Sequence, residues 1–140
     1  MTNNEIKFED IIGRYLTINI NNESYRIYVE ESGAGIPLIC LHTAGSDARQ
    51  FRHILNDKKI TANYRVIAFD LPWHGKSNPP EGFETKEYKL TTILYKQIIM
   101  SFCKAYKVSQ PVIMGCSMGG RVVLHLALEH SNYFKAVIAL

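Results

Sequence analysis

Four short apolar runs restrict this chain more than any other feature: residues 38–41, 65–69 (after an opening arginine), 112–114 and 136–140. Each is too short for an ordinary helix and lacks the alternation of a half-exposed strand. Each therefore suits a strand covered on both faces. The first ends in His42-Thr43-Ala44-Gly45, the second in Asp70-Leu71-Pro72 and the third in Gly115. Helical patterns fill the intervals. Residues 47–55 form a short one, with Ser46 or Asp47 able to cap its N-terminus. Leu90, Leu94, Ile98, Phe102 and Tyr106 recur at i+4 spacing, which predicts an amphipathic helix of about five turns. A third helix begins near Ser117 and runs through residues 121–128, apolar on nearly every side, so burial all round is expected. Strands alternating with helices imply right-handed crossovers and an α/β fold, a mostly parallel sheet with helices on both faces.

The N-terminal region reads differently. Residues 1–13 resemble a loose leader, and residues 14–140 carry the domain. Residues 15–20 and 25–29 alternate apolar and polar around Asn21 and Asn22, which predicts a half-exposed hairpin. Residues 31–35 read as a turn or loop. Gly33 and Gly35 lack a third glycine three residues on, so the dinucleotide fingerprint fails and no cofactor is expected.

A chain of 140 residues holds one ordinary domain. A hydrophobic share of 46% with 21% charged residues excludes a disordered chain. The net charge of +3 is scattered, with no basic stripe, so no nucleic-acid partner is expected. The first dozen residues are polar and acidic and do not read as a signal peptide. No apolar run approaches the ~20 residues of a membrane span. Cys40, Cys103 and Cys116 have the spacing of neither a disulfide framework nor a zinc site. They read as reduced core thiols in a cytoplasmic protein, with no metal expected.

The strongest chemical signal is Gly115-Cys116-Ser117-Met118-Gly119-Gly120, where an apolar strand hands over to an apolar helix. A serine hydroxyl is a poor nucleophile unless it is exposed, oriented and served by a base. A tight strand-to-helix turn supplies the exposure. Gly115 and Gly119 suit a bend where backbone approaches too closely for side chains. The following helix directs free amides and its positive end at the same spot, so the Met118 N–H can stabilise an oxyanion.

Three motifs together resemble the α/β-hydrolase superfamily, from about Tyr15 to the last residue. They are residues 41–45 after one strand, Phe69-Asp70-Leu71-Pro72-Trp73-His74-Gly75-Lys76-Ser77 after the next, and the segment around Ser117 after a third. Their order and spacing match the family's third, fourth and fifth strands. The resemblance implies Ser117 as the nucleophile and the backbone N–H groups of Ala44 and Met118 as the oxyanion hole. It implies that His42 braces the oxyanion loop and is not the base, and that Asp70 and Ser77 hold the loop after the fourth strand. Thr43 stands where the family usually has glycine. Trp73 also replaces a glycine of the usual pattern, and is read as a packing residue that borders the substrate pocket if its loop turns inward. Tyr106 is likewise read as packing.

In this family the catalytic acid and histidine follow the serine on later strands. Both are expected beyond residue 140, so the chain reads as the N-terminal part of a hydrolase, ending at about the sixth strand and inactive alone. None of its five histidines suits the base. His125 lies about 12 Å along the helix from Ser117 at 1.5 Å per residue; His130 stands at the helix end and His53 on the first short helix. His42 and His74 lie on loops at the carboxyl edge. The implied reaction is acyl transfer to water from a small-molecule carbonyl substrate: an ester, lactone, thioester or vinylogous carbon–carbon bond. Two alternatives stand beside it, a non-catalytic small-molecule binder of the same fold and an acyltransferase.

Overall fold

A computed structural model describes residues 6–140 of the protein. The chain enters its sheet through a hairpin. β1 (Ile12–Ile20) and β2 (Glu23–Ser32) pair antiparallel from Ile12 opposite Glu31 to Ile20 opposite Glu23. Asn21 and Asn22 turn the chain with φ of 51° and 64°. A two-residue hairpin turn needs that left-handed pair, and asparagine tolerates it better than other side chains. One face of the hairpin buries Ile18, Ile20, Tyr25, Ile27 and Val29. The strand begins at Ile12, inside the expected leader, whose residues 1–5 lie outside the described residues. Glu31 and Ser32, expected in a loop, extend β2 because it also pairs antiparallel with the strand Tyr64–Phe69, from Val29 opposite Phe69 to Ser32 opposite Val66. A ladder of backbone hydrogen bonds outweighs the local turn signal.

The four apolar runs form β3 (Ile36–Leu41), β4 (Tyr64–Phe69), β5 (Val112–Gly115) and β6 (Ala136–Ala139). The sheet order is β1-β2-β4-β3-β5-β6, with β4, β3, β5 and β6 parallel. Successive side chains of a strand point to opposite faces, and the two faces hold separate cores. On one, Leu38, Cys40, Val66, Ala68 and Met114 meet Ala48, Phe51 and Leu55. These last three come from a 3-10 turn, Ala48–Phe51, and α1 (Arg52–Asn56). On the other, Ile39, Leu41, Ile67, Phe69 and Ile113 meet Ile98, Ile99 and Phe102 of α3 (Thr92–Ala105) and Val122, Val123 and Leu126 of α4 (Met118–Glu129). The sheet is thus covered on both sides, as its apolar strands require.

Helix limits follow their caps. Asp47 accepts from the Arg49 N–H and opens the 3-10 turn. A short helix absent from the sequence reading, α2 (Lys58–Thr61), is capped by Asp57, which accepts from the Lys59 and Ile60 amides. The Thr91 hydroxyl accepts from the Leu94 N–H at 3.1 Å and starts α3 there. That helix has 14 residues, nearer four turns than five. Leu90 precedes it and Tyr106 caps it, so an i+4 series continued past both ends of the helix. α4 is buried on one side only: Leu124 is 55% and Leu128 84% exposed. β6 has a neighbour on one side among the described residues. No described helix is long and apolar enough to cross a membrane.

Candidate active site

β3 has β4 on one side and β5 on the other, and the chain reaches them over opposite faces of the sheet. The loops leaving the carboxyl ends of β3 and β5 therefore diverge, which opens a crevice at this switch point. Ser117 sits at that edge. It is exposed, with φ 52° and ψ −107°, a conformation costing a non-glycine residue about 1–3 kcal/mol. Neighbouring hydrogen bonds hold it. Ser117 N–H donates to Leu140 O at 2.8 Å, Leu140 N–H to Gly115 O at 2.9 Å, Cys116 N–H to Leu41 O at 3.1 Å and Gly119 N–H to Cys116 O at 2.9 Å. A Cβ on Gly115 would stand 2.2 Å from the Gly119 carbonyl, and one on Gly119 would stand 2.6 Å from Leu41 O. Gly120 is confined less tightly, 2.8 Å from Leu140 O. The sequence motif points to the first two glycines and not to the third.

Met118 is the first residue of α4, and its amide makes no hydrogen bond among the described residues. The same holds for the Ala44 amide, in the turn after β3. That turn is closed by Ser46 N–H to Thr43 O at 3.3 Å, with φ 69° at Gly45. Thr43, where the family favours glycine, is braced on both sides. Its N–H donates to Gln50 Oε1 at 2.9 Å and its carbonyl accepts from His42.

His42 is completely buried. Nε2 accepts from the Leu71 N–H at 3.1 Å, so the proton sits on Nδ1, which donates to Thr43 O at 2.8 Å. Both ring nitrogens are occupied, which suits a brace between two loops and leaves none for proton abstraction. Burial pushes its pKa below the ordinary 6.5, against the pull of the Thr43 carbonyl. The unfolded chain therefore binds this proton more readily. Stability should be complete above pH 6.5 and decline as pH falls below it, continuing to the depressed native value. Denaturation midpoints between pH 7.5 and 5 should show that decline, and His42→Gln should flatten it; an unchanged slope in the variant would refute the assignment. The lowered Asp47, held down first by Arg49, loses its contribution in a separate window below pH 3.8.

Asp70 and Ser77 tie the next loop. Asp70 is buried and its carboxyl oxygens accept from the Ala48 and Lys76 amides, each at 2.7 Å. Ser77 Oγ donates to Asp70 O at 2.6 Å and accepts from the Tyr28 N–H at 2.8 Å. Trp73 takes φ 69°, a left-handed conformation that explains the glycine usual there. Its ring compensates by packing edge-on to Phe83 at 5.3 Å and against Tyr88 at 5.1 Å. The loop turns inward. Trp73, expected to border a pocket if its loop turned inward, lines a cavity of about 400 Å³ with Tyr25, Tyr88, Leu90, Leu94 and Ile98, none of which was expected there. Tyr106 stacks on Phe102 at 5.0 Å, a packing role.

The remaining candidates separate. His74 lies beside His42, ring centres 5.0 Å apart, with Nδ1 donating to Pro72 O at 2.9 Å. His53 stands on α1 and His125 in mid-α4. Cys40 and Cys103 are buried, and desolvation raises each thiol to about 12. Cys116 is half-buried beside Ser117 and is no core thiol. No cluster of three or more metal-ligating side chains occurs among the described residues.

A strand-to-helix elbow at the carboxyl edge of a doubly covered, mostly parallel sheet defines the α/β class. Within it the chain belongs to the alpha/beta hydrolase fold family, whose profile matches residues 36–140. It is 32% identical over 103 residues to the uncharacterized hydrolase YugF of Bacillus subtilis, covering 74% of this chain and 35% of that protein. It is also 32% identical over 110 residues to the 2-hydroxy-6-oxo-6-(2'-aminophenyl)hexa-2,4-dienoic acid hydrolase of Metapseudomonas resinovorans, covering 77% and 36%. The crystal structure of epoxide hydrolase VrEH1 from Vigna radiata superposes with a TM-score of 0.74 at 22% identity, over 93% of this chain and 39% of that one. The chain thus spans little more than a third of each of these proteins.

Proposed function

We propose that the protein is the nucleophile-bearing part of a hydrolase that acts on a small-molecule carbonyl substrate through an acyl-enzyme on Ser117. The observation that carries this reading is the exposed, strained Ser117 followed by the unpaired amide of Met118. Ser117 Oγ attacks the carbonyl carbon, and the carbonyl oxygen becomes an oxyanion that accepts from the Met118 and Ala44 amides. Collapse expels the leaving group, and water then hydrolyses the ester left on Ser117. Serine chemistry favours a carbonyl over an epoxide. Opening an epoxide with serine leaves an ether, which water does not cleave by carbonyl addition, whereas the acyl ester is readily cleaved. Relatives named for a 6-oxo acid and relatives named epoxide hydrolases, the latter at 28% and 31% identity, both match, so the choice rests on the serine at position 117 and not on their names.

The proton of Ser117 needs a base, and His42 is committed to two loops. The resemblance puts the acid and histidine after Leu140, consistent with relatives more than twice as long as this chain. Residues 1–140 alone are then inactive. Three thiols with no disulfide between them suit a cytoplasmic setting. The test is fluorophosphonate labelling of the full translation product of the reading frame, read by intact mass and peptide mapping. One adduct on Ser117, absent from Ser117→Ala and from residues 1–140 alone, is the expected result. A folded protein that takes no label would leave a non-catalytic binder.

A further inference from the structure

A second cavity, about 90 Å³, lies beside the elbow and is lined by Leu90, Thr92, Tyr95, Met118, Arg121 and Val122. It sits between the first turns of α3 and α4, both of which start at the carboxyl edge. Tyr95 is 3% exposed, yet its hydroxyl has no hydrogen-bond partner among the described residues. Folded proteins rarely leave a buried hydroxyl unmatched, and such a group marks a place where a partner arrives. Burial pushes the Tyr95 phenol above its ordinary value, so it stays a donor at neutral pH.

Arg121 is exposed and forms no ion pair among the described residues. Its backbone N–H donates to Ser117 O at 2.8 Å, which puts it one helical turn beyond the nucleophile. The Thr92 hydroxyl and the positive end of α4 complete a lining rich in donors, with no acidic side chain. The cavity has room for a carboxylate.

We infer that this cavity binds a carboxylate carried by the carbonyl substrate, with Arg121 as its charged partner and the Tyr95 hydroxyl as a further donor. A guanidinium fork matches the two oxygens of a carboxylate. The inference rests on Ser117 as nucleophile, since it sets the carboxylate about one turn, ~5.4 Å, from the reacting carbonyl. Tyr95 and Arg121 then determine specificity without entering the chemistry.

Monomethyl glutarate, with a carboxylate three methylenes from its ester, and neutral dimethyl glutarate test this by calorimetric titration of the full translation product carrying Ser117→Ala. The monoester should bind about tenfold tighter or more, as a hydrogen-bonded charge pair provides. Arg121→Gln should abolish that preference and leave diester binding unchanged. Tyr95→Phe should weaken the monoester by about threefold to tenfold without lowering the melting temperature of the free protein, because it removes an unmatched hydroxyl. Equal affinities, no binding of either ester, or a preference that survives Arg121→Gln would overturn the inference. Fluorophosphonate labelling keeps the two readings apart. A labelled Ser117 without charge preference sinks this inference alone, and charge preference without labelling sinks the catalytic reading and leaves an anion site.

Discussion

Alanine at Gly115 should remove most of the stability of the folded chain. The added methyl would stand 2.2 Å from both the carbonyl carbon and oxygen of Gly119 and 2.7 Å from the Gly120 nitrogen. All three atoms are backbone, so no side chain can swing aside. Relief requires β5 and the start of α4 to separate by about 1 Å, and interiors packed to crystal-like density transmit such a shift. The bonds from Cys116 to Leu41, from Leu140 to Gly115 and from Ser117 to Leu140 would be pulled with it. We expect a loss of at least about 4 kcal/mol, the range reserved for overpacking and strain at special backbone sites. Against a typical stability of about 5–15 kcal/mol, little would remain. Gly82→Ala is the control. Gly82 has φ 75°, but the nearest atom to its added methyl is Lys86 Cε at 3.7 Å, so the cost is the left-handed backbone alone, about 1–2 kcal/mol. Urea denaturation of both variants decides the matter, and comparable midpoints would mean that the elbow is not confined as described.

The contrast shows what a sequence can carry. Gly115 was legible because the residues that confine it, Gly119 and Gly120, lie within the same six-residue motif, whereas Gly119, pressed by the distant Leu41, was legible only through the motif's pattern. Gly120 was not, since its confinement comes from Leu140. The strands β3 to β6 were legible because apolar runs of three to five residues have few other uses, and Asn21-Asn22 because the turn demands their backbone. The short helix at Lys58–Thr61 was missed because its cap, Asp57, carries no hydrophobic periodicity. Continuation of β2 through Ser32 depended on pairing with Val66, a contact 34 positions distant. Apolar character alone predicted a fully buried α4, yet burial is decided by neighbours, and Leu124 and Leu128 stay 55% and 84% exposed among the described residues. Ser117 and the amides of Ala44 and Met118 stood out through motif order. Tyr95, Arg121 and the residues that join Trp73 around its cavity did not, because cavities arise where elements distant in sequence fail to meet.

Asp70→Ala should cost nearly as much as the glycine substitution, by the opposite mechanism. It adds no bulk and removes two acceptors. The Ala48 and Lys76 amides would each lose a 2.7 Å bond inside a site where Asp70 is 2% exposed. An orphaned buried N–H costs about 1–3 kcal/mol, so the pair should cost about 2–6 kcal/mol unless water enters. Asp70→Asn keeps one acceptor and turns an NH₂ toward the other amide, so it should fall between the alanine variant and the native protein. The damage should also reach Ser117. Ala48 opens the 3-10 turn that follows the Ala44 loop, and the residue after Asp70 donates to His42, which in turn holds the Thr43 carbonyl. Slack at Asp70 therefore frees both supports of the Ala44 amide while leaving the elbow itself intact. Under conditions where Asp70→Ala remains folded, fluorophosphonate labelling of Ser117 in the full translation product should slow by about tenfold, toward the loss seen when one oxyanion donor is removed. A variant that melts with the native protein would deny the structural tie. One that melts early but labels at the native rate would detach Asp70 from the Ala44 amide and leave Met118 as the donor that matters.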